Sequence, residues 1–159
     1  MSYKRVRAYI HAESNNAQNG EVTAFIRLGT DFTDNYYEIE VPLSMTPVGT
    51  RDANGVWLES NWIDVEFSTL TQTKVERNLS GQSVVIPFSK IVPGLAGNRY
   101  RITVVGNPDL STMLTSMIGI RNPDLTDFGL IDDKLPKSVC IWINEFRIAD
   151  FDQTAGWAA

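Results

Sequence analysis

The chain has 159 residues, of which 43% are apolar and 21% charged, and its formal net charge is −5. This length suits one domain with a substantial core. The negative charge argues against nucleic acid or an anionic membrane surface as partner, since both would repel the chain. The sequence contains no apolar run of the roughly 20 residues that a spanning helix needs, and residues 1–10 lack the apolar stretch of a signal peptide. We therefore expect a cytosolic protein or a piece of a larger exported one.

Three strands are predicted in the first third of the chain, because apolar residues occupy alternate positions there. They span Arg5–His11, Val22–Leu28 and Tyr36–Leu43. Polar, glycine-containing turns at 15–20 and 29–35 separate them. A period of two with one charged face is typical of antiparallel strands that pack their other face on a core. The pattern places Tyr37 in the core and Glu38 and Glu40 on the solvated face.

Five further strands are predicted after a loop over Pro47–Asn54. They span Trp62–Phe67, Ser83–Phe88, Arg99–Val105, Leu114–Ile120 and Val139–Phe151. In the first of them Asp64 and Glu66 alternate with apolar residues, so we expect both carboxylates on the solvated side. Eight strands without an alternating strand–helix pattern predict a mainly all-β fold, an antiparallel β-sandwich of jelly-roll-like type. We expect a single domain over residues 1–151 and an exit segment over 152–159.

One short helix is predicted between these strands, over Thr69–Arg77, with Ser68 as its N-cap. Leu70 and Val75 are the residues of this helix that we expect to face the core.

Turn chemistry marks the loops. Gly29 follows the second strand, and two Asn-Pro-Asp triplets follow later strands. Proline fixes φ and asparagine favours the bend before it. We expect Gly29, Asn107, Pro108, Asn122 and Pro123 to hold these loops in place.

The sequence offers little for catalysis or metal binding. His11 is the single histidine and stands at the end of a predicted strand, beside no nucleophile motif. Cys140 is the single cysteine, and we expect a buried, inert thiol. Zinc sites need several His and Cys ligands, and glycine-rich phosphate-binding motifs are absent. We expect no enzymatic activity, no metal and no cofactor; the Asp31–Asp34 loop and Asp132-Asp133 lack the spacing of a calcium loop.

The last predicted strand places Trp142, Asn144 and Phe146 on one face, which Ile148 continues. We expect this row to point inward, with Glu145 and Arg147 opposite. An unpaired amide in a buried row costs about 1–3 kcal/mol, so we expect Asn144 to tie down a neighbouring loop.

Six stretches resemble, in this order, the giant gliding-motility cell-surface proteins of the SprA family, called Sov in some relatives. The stretches are RVRAYIHAE, AFIRLGTDFTDNYYEIEVPL, VERN, RYRITVVGNPDLSTM, MIGIRNP and CIWINEFRIADFDQTAGWAA. The resemblance covers Arg5–Ala159, and its most specific parts are Gly29–Leu43 and Trp142–Ala159. This family forms the outer-membrane translocon of the type IX secretion system in Bacteroidetes. Its members are far longer than this chain and carry β-rich domains inserted between the strands of a very large barrel.

The resemblance implies a non-enzymatic structural or interaction domain for protein secretion and gliding motility. Its expected partners are proteins of the translocon, namely a partner barrel, a plug or a lipoprotein. Its expected location is the cell envelope, associated with the outer membrane through the rest of the chain. The implied structural or interaction residues include Trp142, Asn144, Phe146, Trp157 and the turn residues named above.

A jelly-roll carbohydrate-binding module is the alternative that the residues leave open. Aromatic rings that stack on sugars are common in lectins, and Tyr36 and Trp57 are the candidates here. The competing interpretation is that these rings fill the core or its rim. A glycosidase fragment would need two carboxylates that face each other across a cleft.

Overall fold

The computed structural model describes residues 3–124, 128 and 133–151. The described chain forms two antiparallel sheets, with strand orders β4-β1-β8 and β5-β6-β3-β2-β7. The strands are β1 (Tyr3–Ser14), β2 (Thr23–Gly29), β3 (Tyr36–Pro42), β4 (Ile63–Glu66), β5 (Phe88–Pro93), β6 (Arg99–Val105), β7 (Thr115–Arg121) and β8 (Val139–Phe151). The predicted antiparallel β-sandwich is confirmed.

Short helices connect the strands. They are α1 (Ala53–Val56), α2 (Phe67–Ser80) and 3-10 turns at Glu59–Asn61, Leu95–Gly97 and Leu110–Thr112. Among the described helices, none has both the length and the apolar character to cross a membrane.

The core lies between the inner faces of the two sheets. Four buried residues of β1 form its centre: Val6, Ala8, Ile10 and Ala12. The opposing sheet contributes alternate apolar residues of β2, β3 and β6, among them Tyr37, which is buried as predicted. Alternate residues point to one face of a strand, so the period-two pattern of the sequence has become the sandwich core.

Helix α2 covers one side of the sandwich, where it contacts β1, β4, β5 and β6. Its Leu70 is buried as predicted, but Val75 is exposed, so that expectation was wrong. The helix begins at Phe67, with Glu66 and not Ser68 at the N-cap position. Buried Thr73 and Arg77 complete the inward stripe with Leu70, and Val75 lies off this stripe.

The strand predicted over Ser83–Phe88 is wrong. Residues 84–86 form a turn, and Val84, Val85 and Ile86 are exposed. The Val84 carbonyl accepts a hydrogen bond from the Gly106 amide at 2.7 Å. This segment therefore contacts the end of β6. The edge strand that pairs with β6 on this side is β5, which begins at Phe88.

A β-bulge in β8 overturns the predicted inward row of this strand. Arg7 pairs with Arg147, but Tyr9 pairs with Asn144, so β8 carries one extra residue there. Glu145 adopts a φ of 50° at this point. An extra residue reverses the side-chain alternation along a strand. Phe146 consequently packs on the core, whereas Trp142 is 62% exposed and Asn144 is exposed as well.

The same alternation places Cys140 outward with Trp142. Cys140 is exposed, so the expectation of a buried thiol was wrong. The core-facing residues of this half of β8 are Val139 and Ile141.

Candidate interaction faces

Each sheet has an outward surface, and the two surfaces differ in chemistry. The charged face belongs to the five-stranded sheet and contains Arg27, Glu38, Glu40, Arg101 and Arg121. The aromatic face belongs to the three-stranded sheet and its flanking loop, and contains Tyr9, His11, Trp57, Trp62 and Trp142.

The two carboxylates of the charged face are buried, and the prediction that they are solvated was wrong. Glu38 contacts Arg27 at 2.6 Å and Arg121 at 3.1 Å. Glu40 accepts a hydrogen bond from Thr23 Oγ1 at 2.6 Å and lies 3.0 Å from Arg121. Buried charges are tolerated when they are paired and hydrogen-bonded, and neighbouring strands supply the partners here.

Three aromatic rings cover the arginines of the charged face. The Arg27 guanidinium lies 3.9 Å from the Tyr36 ring centroid, and Arg121 lies 4.5 Å from that of Phe25. Arg101 lies 5.4 Å from the Phe128 ring centroid. Such cation–π contacts are most favourable when desolvated. Together with the ion pairs, which include Arg101–Glu40, these contacts join β2, β3, β6 and β7 into one cross-braced surface.

Gly119 makes room for this arrangement. A Cβ built at Gly119 would lie 2.5 Å from Cζ of Phe25. A side chain at Gly119 would therefore displace the Phe25 ring from its place against β7 beside Arg121.

The electrostatics of the charged face follow from this packing. Burial opposes the charge of Arg121, but hydrogen bonds and attraction from Glu38 and Glu40 outweigh it and raise the pKa of its guanidinium. Burial likewise raises the pKa of the Tyr36 hydroxyl. The five ionised groups pair with one another, so we interpret this face as a structural brace. Because Arg27 covers one side of the Tyr36 ring, that side is closed to a sugar.

The aromatic face is built around β1 and β8. Tyr9 and His11 point outward from β1, and His11 is the register partner of Trp142. The loop before β4 brings Trp62 to 4.6 Å from Tyr9 and Trp57 to 5.9 Å from His11, between ring centroids. Trp142 Nε1 donates to Cys140 Sγ at 3.2 Å. The result is a platform of rings on a hydrogen-bonded strand pair, with Trp142 as its most exposed member.

His11 is buried within β1, and not at the end of the strand as the sequence predicted. The strand continues to Ser14, and the 44–62 loop lies over the ring. His11 Nδ1 lies 2.7 Å from the Val56 carbonyl and 3.1 Å from Thr46 Oγ1, and Nε2 lies 3.1 Å from Glu13 Oε1. The Val56 carbonyl can only accept a hydrogen bond, so Nδ1 carries the hydrogen and donates it. Nδ1 therefore has no free lone pair with which to take a proton from the Thr46 hydroxyl. The buried cluster thus anchors the loop and prepares no nucleophile.

The predicted turn residues lie where the chain reverses. Gly29 ends β2, and a Cβ there would lie 2.1 Å from the Asn35 carbonyl oxygen, so only glycine fits. The amide of Asn107 donates to Asn35 Oδ1 at 2.9 Å. These contacts fasten the β2–β3 hairpin to the end of β6.

The remaining turn residues make fewer contacts. The Pro108 carbonyl accepts from Lys74 Nζ at 2.8 Å, and Asn122 Nδ2 donates to the Leu135 carbonyl at 3.3 Å. Pro123 follows in the same loop. Trp157, predicted as a structural residue, lies outside the described residues.

The acidic loops use their carboxylates internally. Asp31 accepts hydrogen bonds from the amides of Thr33, Asp34 and Asn35, and these bonds, that from Asp34 first, lower its pKa. Asp133 pairs with Lys137 at 2.5 Å; Asp132 lies outside the described residues. Among residues 3–124, 128 and 133–151, no group of three His, Cys, Asp or Glu could hold a metal ion.

Neither face was predicted from the sequence as a set of residues that lie together. The charged face had a readable signal, because opposite charges occupy outward positions on four strands, but only strand order brings them together. The aromatic face had no such signal in the sequence. The bulge that turns Trp142 outward depends on a positive φ at a glutamate, which the sequence pattern does not indicate.

Comparison with known proteins identifies the family. The model of the SprA_N family, described as a motility related/secretion protein, matches residues 1–159. The chain belongs to this family. A search of the curated proteins found no match. Membership of SprA_N confirms the resemblance carried by the six sequence stretches, and it indicates a motility- or secretion-related protein of the cell envelope.

Proposed function

We propose that this SprA_N chain is a non-enzymatic structural and interaction domain of an outer-membrane protein for type IX secretion and gliding motility in Bacteroidetes. The aromatic face supports this proposal most directly. Trp142 is 62% exposed beside its register partner His11, on the face that also contains Tyr9, Trp57 and Trp62. Tryptophan and tyrosine are enriched in the few residues that dominate protein–protein binding. The proposed partner is therefore a protein of the translocon, such as its plug or lipoprotein.

The charged face supports the structural half of the proposal. Its ion pairs and rings join four of the five strands of one sheet. A braced sheet keeps the opposite, aromatic face in a fixed shape, and binding to a preorganised surface loses less conformational entropy. In this proposal the domain reaches the outer membrane through other parts of the protein.

The test replaces Trp142 by alanine in the chromosomal gene of a gliding bacterium that carries this protein. We expect slower colony spreading and less secreted protein in the medium, at unchanged cellular abundance of the variant. Phe32→Ala is the matched control, because Phe32 is also an exposed aromatic residue but lies outside both faces. Normal spreading and secretion with Trp142→Ala would remove the role of the aromatic face. Normal spreading and secretion after deletion of residues 1–159 would contradict the proposed function.

A carbohydrate-binding module remains the second candidate, and the ring platform is the observation that favours it. The half-buried Trp57 and exposed Trp142 flank His11 on the same face. A glycan array probed with the chain tests this alternative. Saturable binding that Trp57→Ala abolishes would favour a lectin-like role, and a blank array would reject it.

A further inference from the structure

We propose that the open edge of the sandwich binds an extended, net-positive segment of a partner protein, which adds as a strand beside β8. The open edge is defined as β7 together with Val139–Asn144, the part of β8 before the bulge. This inference deepens the proposed interaction function and rests on it, because it names the chemistry of the partner.

The open edge is formed by two strand edges that lie on the same side of the molecule. β8 and β7 are the last strands of their sheets, and the described residues supply no further strand beside either. Helix α2 covers the opposite ends, where it contacts β4 and β5. Asn122, just after β7, donates to the Leu135 carbonyl, just before β8. The two edges are therefore neighbours.

The β8 part of this edge lacks the features that usually prevent strand addition. Natural edges are shortened, or carry charges, prolines or bulges. β4 has four residues with Asp64 and Glu66, and β5 carries Lys90 and Pro93. In contrast, the sequence Val-Cys-Ile-Trp-Ile-Asn of Val139–Asn144 contains no charge and no proline. The bulge begins only after it, so six residues form a regular edge, and the backbone groups that point away from β1 meet no further strand among the described residues.

Apolar side chains are exposed along the open edge. Ile143 pairs with Ile10, and Ile120 pairs with Ala24, so both belong to the core-facing sides of their strands. Both are nevertheless exposed, and no strand of the described residues covers the gap between the sheets at this side. An added strand with apolar residues at alternate positions would cover them, while its other face would lie beside Trp142. This is the usual arrangement in β-strand addition.

The charge of the surroundings favours a positive segment. Glu13 is exposed opposite Cys140, and Glu145 is exposed at the bulge, where Arg147 lies 3.6 Å away. The chain as a whole carries −5. Complementary charge speeds association and fixes register, so we expect at least one Lys or Arg in the segment.

A second copy of the chain fits this edge less well. The bulge limits regular pairing between two β8 strands to six residues, about 20 Å at roughly 3.4 Å per residue. Stable protein interfaces bury about 1,200–2,000 Å², and a backbone pairing of six residues alone is small by that measure. A separate segment can pair with β8 and also fill the gap between the sheets.

A phage-displayed library of random decapeptides, selected on the 159-residue chain, tests the proposal without any motility or secretion assay. We expect enrichment of peptides with alternating apolar residues and at least one Lys or Arg. Ile143→Lys should weaken the binding of the selected peptides at least tenfold, because an inward charge blocks strand addition. The matched control is Ile91→Lys on the β5 edge, since Ile91 and Ile143 are both 38% exposed. Ile120→Lys serves as a second blocking variant, and a thermal melt verifies the folding of each variant.

Each outcome decides the proposal. Tenfold weaker binding by both blocking variants, with Ile91→Lys unchanged, supports it. No enrichment, enrichment without alternation, or peptides indifferent to Ile143→Lys and Ile120→Lys would overturn it. A dimer in sedimentation that Ile143→Lys dissociates would assign the edge to a second copy instead. Because the assay measures binding alone, a negative result leaves the cellular test of the proposed function standing.

Discussion

Glu40 shows how a charge is kept inside this protein. It is 1% exposed and contacts Thr23, Arg121 and Arg101 within 3.4 Å. Removing an ion from water costs several kcal/mol, which only close charges and hydrogen bonds can offset. The same geometry makes the protein sensitive to substitution of Glu40, because removing the carboxylate leaves desolvated guanidinium groups without their counter-charge.

We therefore expect Glu40→Ala to lower the free energy of unfolding by about 3 kcal/mol. Glu66→Ala is the matched control: Glu66 is also a strand glutamate with an arginine partner, Arg5 at 2.7 Å, but is 56% exposed. Exposed pairs contribute about 0–1 kcal/mol. Urea unfolding followed by tryptophan fluorescence measures both variants. Equal losses of unfolding free energy in the two variants would mean that burial does not determine how much the ion pairs of the charged face contribute to stability.

The bulge in β8 determines what this strand presents to its surroundings. Without the extra residue, Trp142 and Phe146 would share one face, as the sequence pattern predicts. With it, Phe146 completes the core and Trp142 joins the aromatic face. Asn144 Oδ1 accepts a hydrogen bond from the Glu145 amide at 2.9 Å. Asn144 thus supports the backbone of the bulge, and not the neighbouring loop that we expected it to hold.

Glycine substitutions at the bulge and beyond it should act in opposite directions. The φ of 50° at Glu145 is strained for a residue with a Cβ by roughly 1–2 kcal/mol, and glycine adopts it freely. We expect Glu145→Gly to leave stability unchanged or raise it by up to about 1 kcal/mol. Arg147→Gly, two residues on in regular strand, should lower it by about 0.5–1 kcal/mol. Chemical denaturation compares the two, and a loss with Glu145→Gly larger than that with Arg147→Gly would argue against the bulge.

Strands were predicted correctly from the sequence where an apolar local pattern coincides with a neighbouring strand that can pair with it. Arg99–Val105 and Val139–Phe151 match β6 and β8 in full, because each is an apolar run that has a neighbouring strand to pair with. Val84, Val85 and Ile86 have the same β-branched character, but no strand pairs with them in the described residues. Pairing and bulges depend on residues distant in sequence, so the charged and aromatic faces were beyond local pattern reading.

At the scale of the whole molecule, ionisable groups with shifted pKa values limit the pH range of stability on both sides. Burial raises the pKa of Tyr37 from 10.0 to about 12 and also raises that of Tyr100. Hydrogen bonds lower the pKa of Asp31, Asp109 and Asp133. The tyrosines lie in or beside the core, whereas these aspartates hold loops at the surface.

The alkaline limit should depend on Tyr37. Its raised pKa means that folding favours the neutral hydroxyl, so the stabilisation is fully present below pH 10 and is lost as pH rises toward 12. We expect Tyr37→Phe to lose less stability between pH 8 and pH 11 than the parent chain, by about 1 kcal/mol, since one pKa unit corresponds to about 1.4 kcal/mol. Urea unfolding at both pH values measures the difference. Equal losses in parent and variant would show that Tyr37 does not set this limit.

The acid limit should depend on the loop aspartates. A lowered pKa means that the folded state favours the carboxylate form. The resulting stabilisation is present above the ordinary pKa of 3.8 and is lost as the pH falls through the pKa of the folded state. We expect the Tm of the parent chain to be flat from pH 7 to 5 and to fall below pH 4. Asp31→Asn should lower Tm at pH 7, because the amide is a weaker acceptor for three backbone N–H groups, but the further drop at pH 3 should be smaller. Asp31 and Asp109 lie in different loops, so Asp109→Asn should reduce the drop additively. Thermal melts at pH 7, 5, 4 and 3 measure these slopes, and parallel curves for parent and double variant would exclude the two carboxylates as the source of acid sensitivity.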